Sequence, residues 1–363
     1  MSRLGSAIPD DSIAIAGAGI IGLSIAWKLS QRGWRVTVFD KGEIGREASW
    51  AGAGMLSLGG EVDQPSRFAT LAVESRRQYP SFIRELESVS DRVIDYQECG
   101  ALDLAYSADE LVRLEVRAVA QTRLGIESRA VTTKQIQTFW PRVGSEDLAG
   151  GRFFPADAIV DPRDVTAALQ RACARAGAKL LPKCAVLAAT VTKDEVEVQA
   201  ESGEERFQAM VIAAGAWSSS IPIAGIPPIP AAEPVRGHLV GFRQPEQTCN
   251  TILRHAHTYL LQRANGLLIA GASVERVGFD RLINPEIVAW LASEAGRVLP
   301  HLNETAPAEA WIGFRPGSSD LQIGSWHSRR LFLAYGHFRN GILLAPITAS
   351  LVTDDINANL RTR

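Results

Sequence analysis

The segment between Ser12 and Asp40 constrains the fold of this chain more than any other part of the sequence. A short apolar run, Ser12 to Ala16, is followed at once by Gly17-Ala-Gly19-Ile-Ile-Gly22 and a helical pattern. Trp34 to Phe39 then supplies a second apolar run, and Asp40 follows it directly. A GxGxxG sequence in this order of strand, turn, helix, strand and acid predicts a Rossmann unit that binds a dinucleotide.

Each glycine of the motif has a mechanical role in that prediction. Gly17 permits the tight turn, Gly19 lets the backbone approach a pyrophosphate, and Gly22 allows the helix to pack closely on the strand. The phosphates would meet the free N–H groups of the helix N-terminus, and the carboxylate of Asp40 would accept hydrogen bonds from a ribose. A glycine turn that binds nothing is the alternative, and the complete sequence order disfavours it.

A second run of small residues, Glu47 to Leu56, is poorly suited to a regular element and can lie directly against a large planar ligand. A surface loop is the alternative interpretation, but it would favour polar residues over Trp50, Met55 and Leu56. Gly17 to Asp40 followed by Ala48 to Met55 resembles the amino-acid oxidase family that includes D-amino-acid oxidase, sarcosine oxidase and glycine oxidase. The similarity is greatest to the glycine oxidases of thiamine biosynthesis.

The predicted fold class is α/β, of a two-domain α+β kind. A glutathione-reductase-like Rossmann domain would bind FAD, and an antiparallel-sheet substrate domain would be inserted into it and cover the flavin. We assign 10–75, 151–221 and 320–358 to the FAD-binding domain and 76–150 and 222–319 to the substrate domain. Strands such as His238 to Phe242, Tyr259 to Arg263 and Gly266 to Ala270 indicate the second domain.

The middle of the chain predicts further parts of the nucleotide-binding domain. Asp161 would cap a helix that begins at Pro162, Lys179 to Ala188 reads as a strand, and Val191 to Ala209 reads as a hairpin. Ala209 to Gly215 returns to a buried strand. The resemblance implies that Val186 contacts the adenine and that Gly215 lies near the pyrophosphate, although a close-packed turn explains Gly215 equally well.

The resemblance implies noncovalent FAD, because Gly313 to Asp320 contains no cysteine, whereas the sarcosine oxidases of the family attach FAD there through one. It implies that Gly336 to Leu343 lines the flavin. The full set of cofactor contacts that we carry over is Gly17, Gly19, Ile20, Ile21, Gly22, Asp40, Lys41, Ala48, Ser49, Ala53, Gly54, Met55, Val186, Gly215, His337, Phe338, Arg339, Asn340, Gly341, Ile342 and Leu343.

Arg315 lies between apolar residues and a Pro-Gly turn, and an inward guanidinium without a protein partner would grip a substrate carboxylate. From the residues alone, a structural salt bridge is an equal alternative. The resemblance favours the substrate-binding role and assigns Tyr259 to the same carboxylate, although an ordinary strand tyrosine remains possible there. Arg339 would be a second positive group close to substrate or flavin, and Val274 would line the pocket.

Composition and charge exclude several other classes of protein. The net charge of −2 gives no general attraction to nucleic acid or anionic lipid, and the apolar runs are too short to cross a membrane. Four cysteines lack CxxC spacing and six histidines lack a metal-binding pattern, so we predict no metal site. Met1 to Asp11 is too short and polar for a secretory signal, and we expect a cytoplasmic protein, with a homo-oligomer possible.

The expected reaction is oxidative deamination of glycine, sarcosine or a small D-amino acid to a 2-oxo acid, ammonia and hydrogen peroxide, with dioxygen as electron acceptor. A role in thiamine thiazole synthesis follows from the resemblance. The alternatives are a D-amino-acid dehydrogenase or a sarcosine-type oxidase with another substrate or acceptor. A nicotinamide dehydrogenase, a flavin monooxygenase and a flavin-binding protein without activity also remain open.

Overall fold

The computed structural model describes residues 11–361, so most of the segment from Met1 to Asp11 lies outside the described residues. The helices are α1 (Ile20–Gln31), α2 (Ala48–Ala51), α3 (Arg67–Ser90), α4 (Ala108–Thr122), α5 (Thr133–Phe139), α6 (Pro162–Arg175), α7 (Pro285–Val298) and α8 (Gly341–Leu360), with 3-10 turns at Gly215–Ser220 and Pro300–Glu304.

The strands belong to four sheets and are, in chain order, β1 (Ser12–Ala16), β2 (Arg35–Phe39), β3 (Met55–Leu56), β4 (Tyr96–Gln97), β5 (Ala101–Ala105), β6 (Arg129–Val131), β7 (Gly150–Phe154), β8 (Ala158–Val160), β9 (Lys179–Leu181), β10 (Val186–Val191), β11 (Val196–Ala200), β12 (Gly203–Phe207), β13 (Ala209–Ile212), β14 (Ile223–Ala224), β15 (Glu233–Arg243), β16 (Ile252–His255), β17 (Thr258–Gln262), β18 (Leu267–Gly271), β19 (Glu309–Gly317), β20 (Gln322–Ser325) and β21 (Leu331–Tyr335).

The two strands of the N-terminal motif belong to a six-stranded sheet with the order β20-β21-β13-β1-β2-β9. Its strands are parallel except for β20, which pairs antiparallel with β21. Every residue of β1 is buried because both faces of the sheet are covered. The parallel order brings the carboxyl ends of β1, β2, β13 and β21 to one edge, where ligands of open α/β sheets bind.

Different layers cover the two faces of this sheet. On one face, Ile13 and Ile15 belong to a core shared with α1, α3, α6 and α8. On the other face, Ala14 and Ala16 pack with Val196 and Val198 of the four-stranded sheet β12-β11-β10-β14. The alternation along β1 is the period of two expected of a strand whose successive side chains point to opposite faces. The predicted Rossmann unit is therefore confirmed.

A second, eight-stranded sheet has the order β19-β15-β18-β17-β16-β5-β7-β6. Its strand pairs are antiparallel apart from β5 with β16. One face packs on α7, where Leu291 and Val298 meet Val240 and Leu260. The opposite face contributes Tyr259 and other side chains to the core next to the Rossmann unit. This sheet therefore covers the edge at which the parallel strands end.

Several local predictions compare directly with the structure. Asp161 caps α6 by accepting a hydrogen bond from Arg163 N at 2.9 Å, and Pro162 is the first helical residue, as predicted. The single strand predicted from Lys179 to Ala188 is wrong, because a turn containing Lys183 at φ 52° separates β9 from β10 and places them in different sheets. The run from Ala48 to Met55 contains one helical turn, α2, where no regular element was expected.

The predicted division into two domains remains a prediction. At its boundary between residues 75 and 76, the continuous helix α3 crosses from one assigned domain to the other. Ala69 and Tyr79 of this helix, which lie on either side of the boundary, are buried in the same core as α1 and α8. We therefore propose that a revised boundary would lie after α3.

Candidate active site

A deep cleft lies between the carboxyl ends of the parallel strands and the eight-stranded sheet. Segments that follow β1, β2, β13 and β21 form its floor, and β15, β17 and β19 contribute to its roof. The segment from Glu47 to Met55 lines one wall. This arrangement brings together parts of the chain that are far apart in sequence, so that a long ligand could contact all of them.

The start of α1 opens directly into the cleft. Gly17 has φ +105°, and a Cβ there would lie 2.3 Å from the Ala213 carbonyl oxygen, so the turn requires glycine. At Gly19, which precedes the helix, a Cβ would meet only Ser49 Oγ, at 3.2 Å. The Ser49 hydroxyl accepts a hydrogen bond from Ile20 N at 2.9 Å. The helix therefore presents its positive end, beside a hydroxyl, to any anion bound here.

Asp40 is fixed at the end of β2. One carboxylate oxygen accepts a hydrogen bond from Ala18 N at 2.7 Å, and the other accepts one from Gly42 N at 2.9 Å. Burial raises the pKa of Asp40, while these two N–H groups act in the opposite direction. A carboxylate held at the rim in this way keeps lone pairs that can accept hydrogen bonds from ribose hydroxyls.

The wall from Gly52 to Gly54 is held from behind by a buried arginine. Arg263, 1% exposed, donates from Nη2 to the carbonyl oxygens of Gly52 at 3.0 Å and Ala53 at 3.3 Å. Its Nη1 lies 3.2 Å from the carboxylate of Asp161. A Cβ at Gly54, where φ is +103°, would lie 1.8 Å from the Val160 carbonyl oxygen. This wall is therefore a rigid, nearly side-chain-free surface.

The segment before α8 forms the opposite boundary. Phe338 has φ 49°, and its N–H donates to the Pro316 carbonyl at 3.1 Å, which ties this turn to β19. His337 is buried with Nε2 3.0 Å from Thr348 Oγ1, and burial lowers its pKa to about 3, so the ring is neutral. The first-turn N–H groups of α8, which begins at Gly341, have no intrahelical acceptors and lie at the cleft.

Arg315 projects from β19 into the roof of the cleft. Its guanidinium lies against Gly237 of the adjacent strand, where a Cβ would be 2.3 Å from both Nη atoms. Nη1 donates to the Ser273 carbonyl at 2.9 Å and to the Arg236 carbonyl at 3.4 Å. Burial lowers the pKa of Arg315. Within residues 11–361 it makes no ion pair, so its charge is available to an anionic ligand.

Tyr259 lies beside Arg315 in the roof. Its side chain is buried and packs on Gly271, where a Cβ would be 2.6 Å from the phenol oxygen. Burial raises the pKa of Tyr259, and the charges of Arg315 and Arg339 lower it. The phenol therefore stays protonated at neutral pH and can donate a hydrogen bond near the Arg315 guanidinium.

Arg339 also reaches the cleft, but its charge is paired. Nη2 lies 2.8 Å from Oε1 of Glu61, and Asn340 Nδ2 donates to Oε2 of the same carboxylate at 3.3 Å. The sequence predicted a second positive group, and the structure adds a carboxylate directly beside it. A ligand would therefore meet an arginine without a carboxylate partner at Arg315 and an arginine already paired with a carboxylate at Arg339.

Most of the predicted residues line this single cleft. They are Arg315, Tyr259, Arg339, Gly17, Gly19, Ile20, Ile21, Asp40, Lys41, Ala48, Ser49, Ala53, Gly54, Met55, Val186, Gly215, His337, Phe338, Asn340, Gly341 and Ile342. Lys41 places its ammonium 3.4 Å from the centre of the Trp217 ring at the rim.

Three predicted residues lie elsewhere. A Cβ at Gly22 would be 1.9 Å from the Gly17 carbonyl oxygen, so Gly22 serves helix packing and does not line the cleft. The Leu343 side chain is buried in the helix core, and its carbonyl accepts a hydrogen bond from Ser75 Oγ at 2.6 Å. Val274 is 56% exposed and also lies outside the lining.

Sequence reasoning missed Glu61, Gly237 and Trp217, all of which line the cleft. Gly237 left a usable signal, because an isolated glycine inside a strand indicates a close approach by another group. Glu61 and Trp217 left none that is specific, since their roles depend on contacts with distant parts of the chain. Among the described residues, no helix is long and apolar enough to span a bilayer, and no three His, Cys, Asp or Glu side chains form a metal-binding group.

The cleft suits a dinucleotide that carries a planar ring system. The helix terminus at Ile20 and the fixed carboxylate of Asp40 are spaced along its floor, as a pyrophosphate and a ribose require. At Gly215, with φ +56°, a Cβ would meet nothing within 4 Å, so the floor leaves free space there. The backbone wall at Gly52 to Gly54 and the start of α8 border the other end.

The comparisons with known proteins agree with this geometry. The family described as FAD dependent oxidoreductase matches residues 12–355. Glycine oxidase of Geobacillus kaustophilus is 32% identical over 346 residues, which cover 94% of this chain and 92% of that protein. A crystal structure of glycine oxidase from that organism has a TM-score of 0.90 at 30% identity, over 95% of this chain and 94% of that chain.

A bifunctional ThiO/ThiG protein of a Synechocystis species is 33% identical over 352 residues, which cover 94% of this chain but 51% of that protein. The chain therefore spans about half the length of that relative. Because a family match covers nearly the whole chain and the cleft has the matching form, the chain belongs to the FAD-dependent oxidoreductase family, and its cofactor is FAD.

Proposed function

We propose that this protein oxidises glycine, or a similarly small amino acid such as sarcosine or a small D-amino acid, to the corresponding 2-oxo acid and ammonia, with methylamine in place of ammonia when the substrate is sarcosine. The observation that carries the proposal is the guanidinium of Arg315, which faces the FAD cleft without a carboxylate partner among the described residues. An anion is needed there, and the carboxylate of an amino acid supplies it with matching geometry. The names of the relatives make glycine the first choice.

Arg315 and Tyr259 hold the substrate in this proposal. The guanidinium donates two parallel hydrogen bonds to the carboxylate, and the phenol of Tyr259 donates a third. The carbonyls of Ser273 and Arg236 fix the guanidinium from behind, which limits the entropy lost on binding. Because these hydrogen bonds fix the carboxylate of a small substrate, they also determine where its α-carbon lies in the cleft.

Bound FAD, held by the start of α1, Asp40 and the segment before α8, would supply the two-electron oxidation at the carbon beside the amine, with dioxygen as the acceptor that is reduced to hydrogen peroxide. The protein orients the substrate and accommodates negative charge near the start of α8, where first-turn N–H groups without intrahelical acceptors lie at the cleft. No side-chain base is assigned. The amine loses its proton on binding, and water later hydrolyses the imine product.

Other assignments predict different behaviour. A dehydrogenase would reduce an artificial acceptor much faster than dioxygen, and a monooxygenase would consume oxygen only with NADPH. A flavin-binding protein without activity would keep its colour in the presence of every amino acid. A role in thiamine thiazole synthesis is part of our proposal and is supported by the resemblance and by the fused ThiO/ThiG relative.

Anaerobic mixing tests the proposal most simply. The purified yellow protein is mixed without oxygen with glycine, sarcosine, D-alanine or L-alanine, and flavin absorbance is followed. We expect glycine to bleach the flavin and oxygen to restore the colour with release of peroxide. Failure of all small amino acids to bleach an FAD-loaded protein would refute the proposal.

A further inference from the structure

Two of the arginines that line the cleft, Arg315 and Arg339, differ in one respect that bears on specificity. Arg315 forms no ion pair within the described residues, whereas Arg339 lies 2.8 Å from Glu61. Arg315, Arg339, Glu61 and Tyr259 all line the same cleft. The buried Arg263, by contrast, is paired with Asp161 at 3.2 Å. Of Arg315 and Arg339, only Arg315 is therefore left without a carboxylate partner among the described residues.

Glu61 is held firmly in the position that makes this pair. It lies in a turn in which Glu61 N and Val62 N donate to the Leu58 carbonyl at 3.3 and 3.0 Å. Gln121 Nε2 donates to the carbonyls of Gly59 and Val62 at 2.8 and 2.7 Å, which clamps the turn on both sides. The Glu61 side chain is 12% exposed. A ligand would therefore meet a fixed carboxylate.

We propose that Glu61 selects ligands by charge: it neutralises Arg339, leaves Arg315 to bind a single carboxylate, and excludes molecules that carry a second one. A second carboxylate near Arg339 would approach Glu61 as well, and like charges in a partly buried site repel strongly. This inference rests on the proposed function, since it concerns the charge of the same ligand. It assigns to Glu61 a role in specificity that a merely structural ion pair would not have.

The test uses binding instead of turnover, so that its outcome does not depend on glycine oxidation. Malonate and its monoamide, malonamate, have nearly the same size but differ by one negative charge. Their dissociation constants are measured from the change in flavin absorbance of the FAD-loaded protein. The quantity compared among variants is the ratio of the malonate constant to the malonamate constant, which cancels effects on overall fit.

We expect Glu61→Gln to lower this ratio by about tenfold or more, because malonate no longer meets a like charge. Glu61→Asp keeps the carboxylate, so its ratio should stay closer to that of the unmodified protein. Glu233→Gln is the matched control, because it removes a glutamate that pairs with Arg276 on the exposed surface. Its ratio should not change.

An unchanged ratio in an FAD-loaded Glu61→Gln protein would overturn the inference, and so would an equal shift in the Glu233→Gln control. If Glu61→Gln does not retain FAD, Arg339→Gln decides, since it leaves Glu61 unneutralised and should raise the ratio. A fall or no change in that variant would also overturn it. If the ratios shift as expected but glycine never bleaches the flavin, the proposed function fails and the charge selection by Glu61 stands.

Discussion

Replacement of Arg315 by alanine is the perturbation that bears most directly on substrate binding. In the structure, the guanidinium is held by the Ser273 carbonyl at 2.9 Å and lies against Gly237, and no carboxylate among residues 11–361 is paired with it. The variant therefore leaves no protein carboxylate without its ion-pair partner. The main loss is the interaction with the substrate.

The expected magnitude follows from the bonds that are lost. Hydrogen bonds that involve charged groups contribute about 1.5–3 kcal/mol each, so two parallel bonds to a carboxylate amount to about 3–6 kcal/mol. Since about 1.4 kcal/mol corresponds to a factor of ten, kcat/KM for glycine should fall by about a hundredfold to about twenty-thousandfold. Arg315→Lys keeps the positive charge but loses the two parallel donors of the guanidinium, so its kcat/KM should lie between those of the unmodified protein and Arg315→Ala.

Steady-state peroxide production measures kcat and KM, and flavin absorbance of the purified protein measures cofactor retention. Arg276→Ala is the matched control, because Arg276 pairs with Glu233 on the exposed surface. We expect FAD to remain bound in all three variants and the control to keep its KM. A kcat/KM for Arg315→Ala within about threefold of the unmodified protein would refute the assigned role.

Three further predictions concern other parts of the site. Gly19→Val should reduce FAD occupancy after purification, since the side chain would project toward Ser49 and the space that the pyrophosphate needs; full occupancy would contradict the placement. Gly237→Ala should raise KM for glycine while FAD and the fold are retained, because the new Cβ displaces the flexible end of Arg315; an unchanged KM would count against that contact. Burial lowers the pKa of His337 from 6.5 to about 3, so the unfolded chain binds a proton that the folded chain excludes as pH falls. When the pH is lowered from 8 to 5, the free energy of unfolding, measured with urea, should therefore fall by about 2 kcal/mol more in the unmodified protein than in His337→Gln. An equal fall in both proteins would contradict the buried neutral ring.

Local features were predictable because their physical causes lie within a few residues. The GxGxxG turn, the Asp161 cap and the start of α6 at Pro162 depend on backbone geometry near each position, and the structure confirms them. The predicted FAD cofactor and the family resemblance are confirmed by a family match over residues 12–355. The glycine at position 17 was a reliable signal of the turn, because the backbone conformation there leaves no room for a side chain.

Features that depend on distant contacts were not predictable. The partnership of Glu61 with Arg339 joins a loop after β3 to the start of α8, and no pattern around either residue indicates it. The break between β9 and β10 was missed although Pro182 gave a local signal, since proline disfavours the interior of a strand. The turn itself is stabilised by distant hydrogen bonds, from Lys183 N and Cys184 N to Gly42 O and Asp40 O. Both features depend on contacts between residues that are far apart in the sequence.

A crystal structure of the protein with FAD and glycolate would test the central claim most directly. Glycolate has the carboxylate of glycine but carries a hydroxyl in place of the amine. We predict both carboxylate oxygens within hydrogen-bonding distance of the Arg315 guanidinium, one of them also near Tyr259, with the α-carbon facing the flavin ring. Glycolate bound elsewhere in the cleft, or Arg315 turned toward solvent, would contradict the account.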